Sequence, residues 1–275
     1  MRGHVDAHHQ VFALARGDYG DSPPAALRRD YRLADSAVQR EQANVTSVVL
    51  VQAAPTHAET QYLLDVAQKS AGVVRGVVGF VDLAAADAIP ALTRLARNPL
   101  LKAVRPVPHA FADEAYLRRP DVERTLAALP RLSLRLEACV GSMHMPRLLE
   151  LVERHPALAI AVDHAGMPDI ANGEWSAWTQ AMAALAAQPR VRCKLCGLTT
   201  LAGAGWTIDL LRRYVDFLAE RFGPPRLMWG SDWPLVNAAA TYPSWYAATV
   251  ALTAGWFADD RAALMGATAR RFYGL

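Results

Sequence analysis

Five residues near the start, Asp6-Ala7-His8-His9-Gln10, put a carboxylate, two imidazoles and an amide into one short stretch. Residues two apart in a strand share a face, so Asp6, His8 and Gln10 are expected to point together, with His9 opposite. An imidazole beside oxygen donors suits zinc and related divalent ions, although glutamine is a weak neutral ligand. A histidine hydrogen-bonded without metal fits His8 taken alone equally well. Two later clusters carry related chemistry. Asp163-His164-Ala165-Gly166 and Gly230-Ser231-Asp232-Trp233-Pro234 each follow an apolar run. A His and an Asp so placed can ligate a metal or form an acid–base pair, with a turn or helix cap as the alternative for Asp232.

Arg105, fixed ahead of Pro106, suits a substrate oxygen or carboxylate, or an internal ion pair with Glu137 or Asp82. His144 is read as a loop residue of the same region. Cys193-Lys194-Leu195-Cys196 has a redox or zinc spacing, but it lies in an expected strand and lacks a second pair, which favours packing thiols. Trp229, Trp233 and Trp245 suit an apolar or sugar pocket, or core packing. His4, His57, His109 and His155 read as solvated surface.

The elements that must carry these groups follow from the apolar pattern. Strands are expected at 4–7, 45–52, 73–81, 101–105, 132–139, 158–162, 191–195 and 226–230. Helices are expected at 58–69, 86–97, 121–128, 146–154, 176–187, 210–221, 242–253 and 259–271. Near-continuous apolar strands alternating with amphipathic helices make a parallel sheet covered by helices. Eight such strands in 275 residues favour a closed (β/α)8 TIM barrel. No glycine-rich turn follows the first strand, which argues against an open nucleotide-binding sheet. The strand ends read Asp6/His8/Gln10, Gln52, Asp82, Arg105, Glu137, Asp163/His164, Lys194 and Asp232. A barrel brings all of these carboxyl ends to one mouth. Residues 13–35, with Gly17, Gly20, Pro23 and Pro24, are expected to form a loop covering that mouth.

Composition narrows the partners. The chain is 52% hydrophobic and carries a net charge of only +3, with no run of five or more like charges. Disorder is excluded for most of the chain, and neither nucleic acid nor an anionic membrane is an expected partner. The start, Met1-Arg2-Gly3-His4-Val5-Asp6, has no apolar core of a signal peptide, and three cysteines do not make a disulfide framework. A soluble cytoplasmic protein with residues 1–275 as one domain is the expectation, with a homo-oligomer left open.

These motifs, in this order, resemble the amidohydrolase-2 type of TIM-barrel metal-dependent hydrolases, in its sugar-lactonase branch. The likeness runs from Val5-Asp6-Ala7-His8 through Arg16-Gly17-Asp18-Tyr19-Gly20, Val51-Gln52-Ala53-Ala54-Pro55 with Glu59-Thr60, Val78-Gly79-Phe80-Val81-Asp82-Leu83 and Arg105-Pro106. It continues through Val162-Asp163-His164, Cys193-Lys194-Leu195 and Trp229-Gly230-Ser231-Asp232-Trp233-Pro234 to Arg271-Phe272-Tyr273-Gly274-Leu275. The resemblance implies hydrolysis of a sugar lactone to its acid. Asp232 would be the general base, with His8 and His164 as metal-binding or carbonyl-polarising catalytic residues. Arg105 and Lys194 would bind substrate, and Gln52, His144 and Trp233 are expected at the same mouth. His8, Gln10, His164 and Asp232 form the implied metal set. The implied cofactor is a divalent ion, zinc foremost, although the family also holds lactonases that work without metal. Two rivals remain: a related decarboxylase, and a barrel that binds a lactone or sugar acid with lost turnover. Three positions depart from the pattern: His8-His9-Gln10 replaces His-x-His, Cys196-Gly197-Leu198 replaces Ser-Gly-Leu without a following acid, and Met167 replaces a lysine.

Overall fold

A computed structural model describes residues 3–275, the side chains of residues 108, 109 and 114 excepted, so the expectations for His109 and for Met1-Arg2 lie outside the described residues. Eight strands form one parallel sheet in sequence order: β1 (His4–His9), β2 (Val45–Val51), β3 (Val74–Gly79), β4 (Leu101–Val104), β5 (Arg135–Ala138), β6 (Ile160–Val162), β7 (Val191–Leu195) and β8 (Leu227–Trp229). This is the expected TIM barrel. The ring closes past the end of β8, where the Asp232 N–H donates to the His8 carbonyl at 2.9 Å and the Gln10 N–H donates to the Trp233 carbonyl at 2.8 Å.

Both faces of each strand are buried, which is why the strands read as apolar runs rather than alternating ones. Val5, Ala7, Val49, Val51, Val78, Ala103, Ala161 and Met228 fill the barrel with small side chains. Leu50, Val77, Leu136, Ile160, Cys193 and Trp229 face the outer helices. Phe272 and Tyr273 join the inner cluster and plug the end opposite the mouth.

The helices start where a cap permits. Thr56, Thr207 and Thr241 each accept a backbone N–H and open helices His57–Gln68, Ile208–Phe222 and Tyr242–Leu252. The expected strand at 132–139 starts only at Arg135, because Pro130–Leu132 coils and Ser133 turns through φ +57°. The expected helix at 259–271 is interrupted by a wide turn over Ala263–Ala267. There Gly266 lies against Val5 of β1, and a side chain would meet the Val5 backbone nitrogen at 3.2 Å. No described helix is long and apolar enough to cross a membrane.

Candidate active site

The β1 ladder has a register irregularity between Asp6 and His9, and it separates residues that simple alternation would keep on one face. Asp6 turns into the β1–β8 seam. Its carboxylate accepts the Ser231 N–H at 2.8 Å, the Ser231 hydroxyl at 2.6 Å and the Tyr242 hydroxyl at 3.2 Å, and pairs with His9 Nδ1 at 2.9 Å. Asp6 and His9 are thus the clasp of the barrel. His8 turns the other way, into the mouth, so the expected common face of Asp6 and His8 does not form.

His8 meets the ends of β6, β7 and β8. Its Nδ1 lies 3.6 Å from Asp163 Oδ1 and 3.4 Å from Lys194 Nζ, while its Nε2 lies 3.8 Å from Asp232 Oδ1. His164 Nδ1 is 3.9 Å from Asp232 Oδ2, and the two imidazole rings are 4.5 Å apart. Arg105 donates to Asp163 Oδ2 at 3.0 Å and to the Gln52 carbonyl. Gln52 in turn donates to the Arg105 carbonyl at 3.2 Å, and Gln10 donates to the Gln52 carbonyl at 3.3 Å. Seven predicted residues, His8, Gln10, Gln52, Arg105, His164, Lys194 and Asp232, therefore fall into one connected cluster.

Burial sets the charges. It drives His8 well below its usual range, helped by Lys194 and His164 and opposed by Asp163. Burial likewise brings His164 down to about 4, so both imidazoles are neutral. Asp232 is pushed up to about 8, by burial first, with Asp163 and Asp6 adding and Arg105 opposing. Burial disfavours the Asp163 carboxylate too, but Lys194, His8 and Arg105 outweigh it and hold Asp163 well below the carboxylate range. Two carboxylates a few residues from one mouth are thus pushed in opposite directions, as acid–base sites require.

Local backbone supports the placement. His164, Ala165 and Asp232 all sit at φ near +50 to +57°, a region that costs non-glycine residues about 1–2 kcal/mol each. Trp178 Nε1 holds the Ala165 carbonyl at 2.8 Å, and the Val236 N–H holds that of Asp232 at 2.9 Å. The strain is retained where it turns His164 and Asp232 inward. Gly197 (φ +73°) lets the chain after β7 approach His164, since a Cβ there would lie 2.8 Å from His164 Nδ1.

Around this centre the residues divide. Residues 13–35 form short turns, pinned where Thr56 donates to Asp18 at 2.8 Å and Tyr19 donates to the buried Glu59 at 3.2 Å. Glu59 also accepts the Ala53 N–H at 3.2 Å, and burial pushes its carboxyl up to about 7. Trp233 stacks on His9 at 4.8 Å and meets Tyr31 edge-on, away from the polar cluster. Trp229 and Trp245 are core residues, bonded to Thr249 and the Gly230 carbonyl. His144 lines a cavity of about 730 Å³ with Cys139, Met143, Met167 and Glu174. Asp82 is exposed and lines another cavity of about 420 Å³ with Tyr116 and Arg119.

Lys194 has no exposed surface and lies below the mouth. Its ammonium is held by Glu137 Oε2 at 2.6 Å and Asp163 Oδ1 at 3.2 Å, and Tyr273 donates to the other oxygen of Glu137. The sequence offers Glu137 or Asp82 as an ion-pair partner for Arg105, but Arg105 pairs with Asp163 and Glu137 with Lys194; Cys196 reads there as packing, and Asp163 and Tyr273 carry no assigned role. Asp163 and Glu137 are visible in the sequence as polar strand ends. Cys196 sits one residue past β7, free of strand alternation, and its Sγ lies 3.4 Å from His164 Nδ1. Nothing local in the sequence marks Tyr273.

Comparison with known proteins agrees with this architecture. Residues 5–275 match the family described as "Amidohydrolase". The chain is 37% identical to a protein named L-fucono-1,5-lactonase from Burkholderia ambifaria, covering 99% of this chain and 96% of that one. It is 32% identical to a protein of the same name from Burkholderia multivorans, covering 98% and 96%. A crystal structure of an amidohydrolase from Burkholderia multivorans with bound zinc superposes with a TM-score of 0.91 at 30% identity, over 99% of each chain.

Proposed function

Because the chain belongs to the amidohydrolase family, we propose that it opens a sugar 1,5-lactone to its aldonic acid, with residues 1–275 acting as one catalytic domain. The observation that carries this reading is the Asp232 carboxylate at the mouth. Its Oδ1 has no hydrogen-bond partner among the described residues and lies 3.8 Å from an equally unpartnered His8 Nε2. The two proteins named L-fucono-1,5-lactonase give the substrate class.

Asp232 takes a proton from the attacking water, and a carboxyl raised towards 8 by burial is a stronger base than an ordinary one. It can then return that proton to the ring oxygen as the lactone C–O bond breaks, leaving the hydroxy acid. Arg105, fixed by Asp163, offers donors in a fixed orientation to the oxyanion that forms at the carbonyl. Lys194 keeps Asp163 ionised from below, so that this carboxylate orients both Arg105 and His8. His144, in the cavity that Cys139 and Met167 also line, belongs to the walls that receive the sugar, whereas Trp233 packs behind the site on His9.

The site also fits a divalent ion of the zinc type. His8 Nε2 and Asp232 Oδ1 are buried polar atoms without partners, and burial favours the neutral, ligating form of both imidazoles. His8 and His164 would hold the ion, with the unpartnered Gln10 Oε1 as a neighbouring oxygen and Asp232 beside it as the base. Such an ion would polarise the carbonyl and lower the pKa of water.

The test is a panel of sugar 1,4- and 1,5-lactones. Wild type is expected to hydrolyse at least one 1,5-lactone, and Asp232→Asn to lose at least about a hundredfold in kcat while retaining its fold. Turnover of the variant at the wild-type rate would remove Asp232 from the mechanism.

A further inference from the structure

The thiol of Cys196 faces the centre of the site, a position that general packing does not require. It follows Leu195, the last residue of β7, and precedes the turn at Gly197, which swings the chain across the mouth. Its side chain is fully buried, and its Sγ lies 3.4 Å from His164 Nδ1. One donor atom each of His8, His164 and Cys196 lie within 4.8 Å of one another. Independently, His8 Nε2 is fully buried with no hydrogen-bond partner.

We propose that Cys196 supplies a thiolate that, with His8 and His164, makes a three-donor site for a thiophilic divalent cation, and that Asp232 is left outside this set as the free base. The proposal rests on the metal-assisted form of the function above.

Separations discriminate between the donors. With Zn–N of about 2.0–2.1 Å and Zn–S of about 2.3 Å, tetrahedral ligands stand about 3.6 Å apart for nitrogen and sulfur, and about 3.3 Å for nitrogen and oxygen. The His164–Cys196 pair at 3.4 Å already matches a shared ion. The Asp232 oxygens, at 3.8 Å from His8 and 3.9 Å from His164, stand back by about half an ångström. Asp232 belongs to neither group of candidate donor atoms lying within 4.8 Å of one another among the described residues.

The orientation of His8 agrees. Its Nδ1 faces Asp163 Oδ1 at 3.6 Å and Lys194 Nζ at 3.4 Å, as the outer nitrogen of a metal-bound histidine faces its supporting groups, and the unpartnered Nε2 is left to address the site. Binding releases one proton, from the Cys196 thiol to solvent, and leaves the fourth position open for water, as in catalytic zinc sites. A sulfur donor selects zinc or cobalt over magnesium or manganese.

The experiment is cobalt(II) titration of the metal-free protein, followed in the near ultraviolet and visible, with metal content measured directly. Wild type is expected to bind one cobalt with a thiolate-to-metal charge-transfer band. Cys196→Ser should lose that band, whereas Cys139→Ser and Cys193→Ser retain it. Zinc affinity by chelator competition should fall at least about tenfold in Cys196→Ser, the low end seen when even an outer-shell partner is removed. X-ray absorption of zinc-loaded wild type, which needs no variant to fold, should show one sulfur at about 2.3 Å. Stoichiometric cobalt without the band, or zinc with only nitrogen and oxygen neighbours, overturns the proposal. So does failure to bind metal, but lactone turnover by that metal-free protein would leave the lactonase function standing.

Discussion

Lys194 Nζ lies 2.6 Å from Glu137 Oε2 inside the barrel, and both side chains are completely buried. Burial opposes the Lys194 charge, but Asp163 and Glu137 outweigh it and keep the ammonium protonated. The pair stands between the Tyr273 plug below and the Asp163–His8 contact above. Glu137→Gln leaves Lys194 with Asp163 alone. Removing one partner of a buried pair costs about 3–5 kcal/mol. At roughly 2–4 °C per kcal/mol for a chain of this size, thermal unfolding should fall by about 6 °C or more. A drop of less than about 1 °C would mean that the pair adds nothing to the fold.

Gly197→Ala tests the approach of the β7 turn to His164. The new Cβ would sit 2.8 Å from His164 Nδ1 at a backbone φ of +73°. Gly274→Ala is the matched control, with φ +65° and its nearest neighbour, Arg135 Nη2, at 3.8 Å. Both variants should lose about 1–2 kcal/mol of stability to the left-handed backbone. Only Gly197→Ala is expected to lower kcat/KM, by about tenfold or more. Equal activities would place His164 outside the reaction.

The segment 13–35, which Tyr19 ties to Glu59, should respond to pH through that carboxyl. Burial holds it at about 7 in the folded protein, against an ordinary value of 4.5. The folded state therefore holds this proton more tightly than the unfolded chain, and stability contributed by Glu59 falls as pH rises from 4.5 to 7. Glu59→Gln should remove that slope. Urea unfolding of wild type and variant at pH 5 and pH 7.5 measures it. A difference between the two proteins that does not change with pH would show that Glu59 titrates normally.

Zinc should stabilise the folded protein. At a concentration one hundred times its dissociation constant, a ligand of the native state adds about 2.7 kcal/mol. That corresponds to a rise in unfolding temperature of roughly 5 °C or more. His8→Ala should abolish the rise, and a chelator should reverse it in wild type. An unchanged wild-type melting curve would argue for a site that works with side chains alone.

The apolar pattern located all eight strands, because parallel strands buried on both faces leave a signal independent of their partners. It also placed His8, Arg105, His164, Lys194 and Asp232 together, since strand ends in a barrel must converge. What it could not give was orientation. Asp6 and His8 look equivalent in sequence and are sent to opposite sides by one register irregularity in β1. Lys194 reads as a mouth residue, yet its long side chain is engaged by Glu137 and Asp163 beneath it. Cys196 reads as packing because strand alternation was carried one residue too far. Tyr273 reaches Glu137 across 136 positions of sequence, a contact that no local pattern encodes.

The clasp between Asp6 and Ser231 joins residues 225 positions apart. At about 5–20 residues per second, the first strand leaves the ribosome on the order of ten to forty seconds before its closing neighbour exists. Throughout that interval β1 has one open edge, carrying unpaired backbone groups and the polar pair Asp6 and His9. Closure of this barrel is a long-range step, of the kind that slows a chain and exposes it to aggregation. A buried carboxylate on that edge discourages pairing with other strands until Ser231 arrives, so the same residue that fastens the ring also guards it while it is being made.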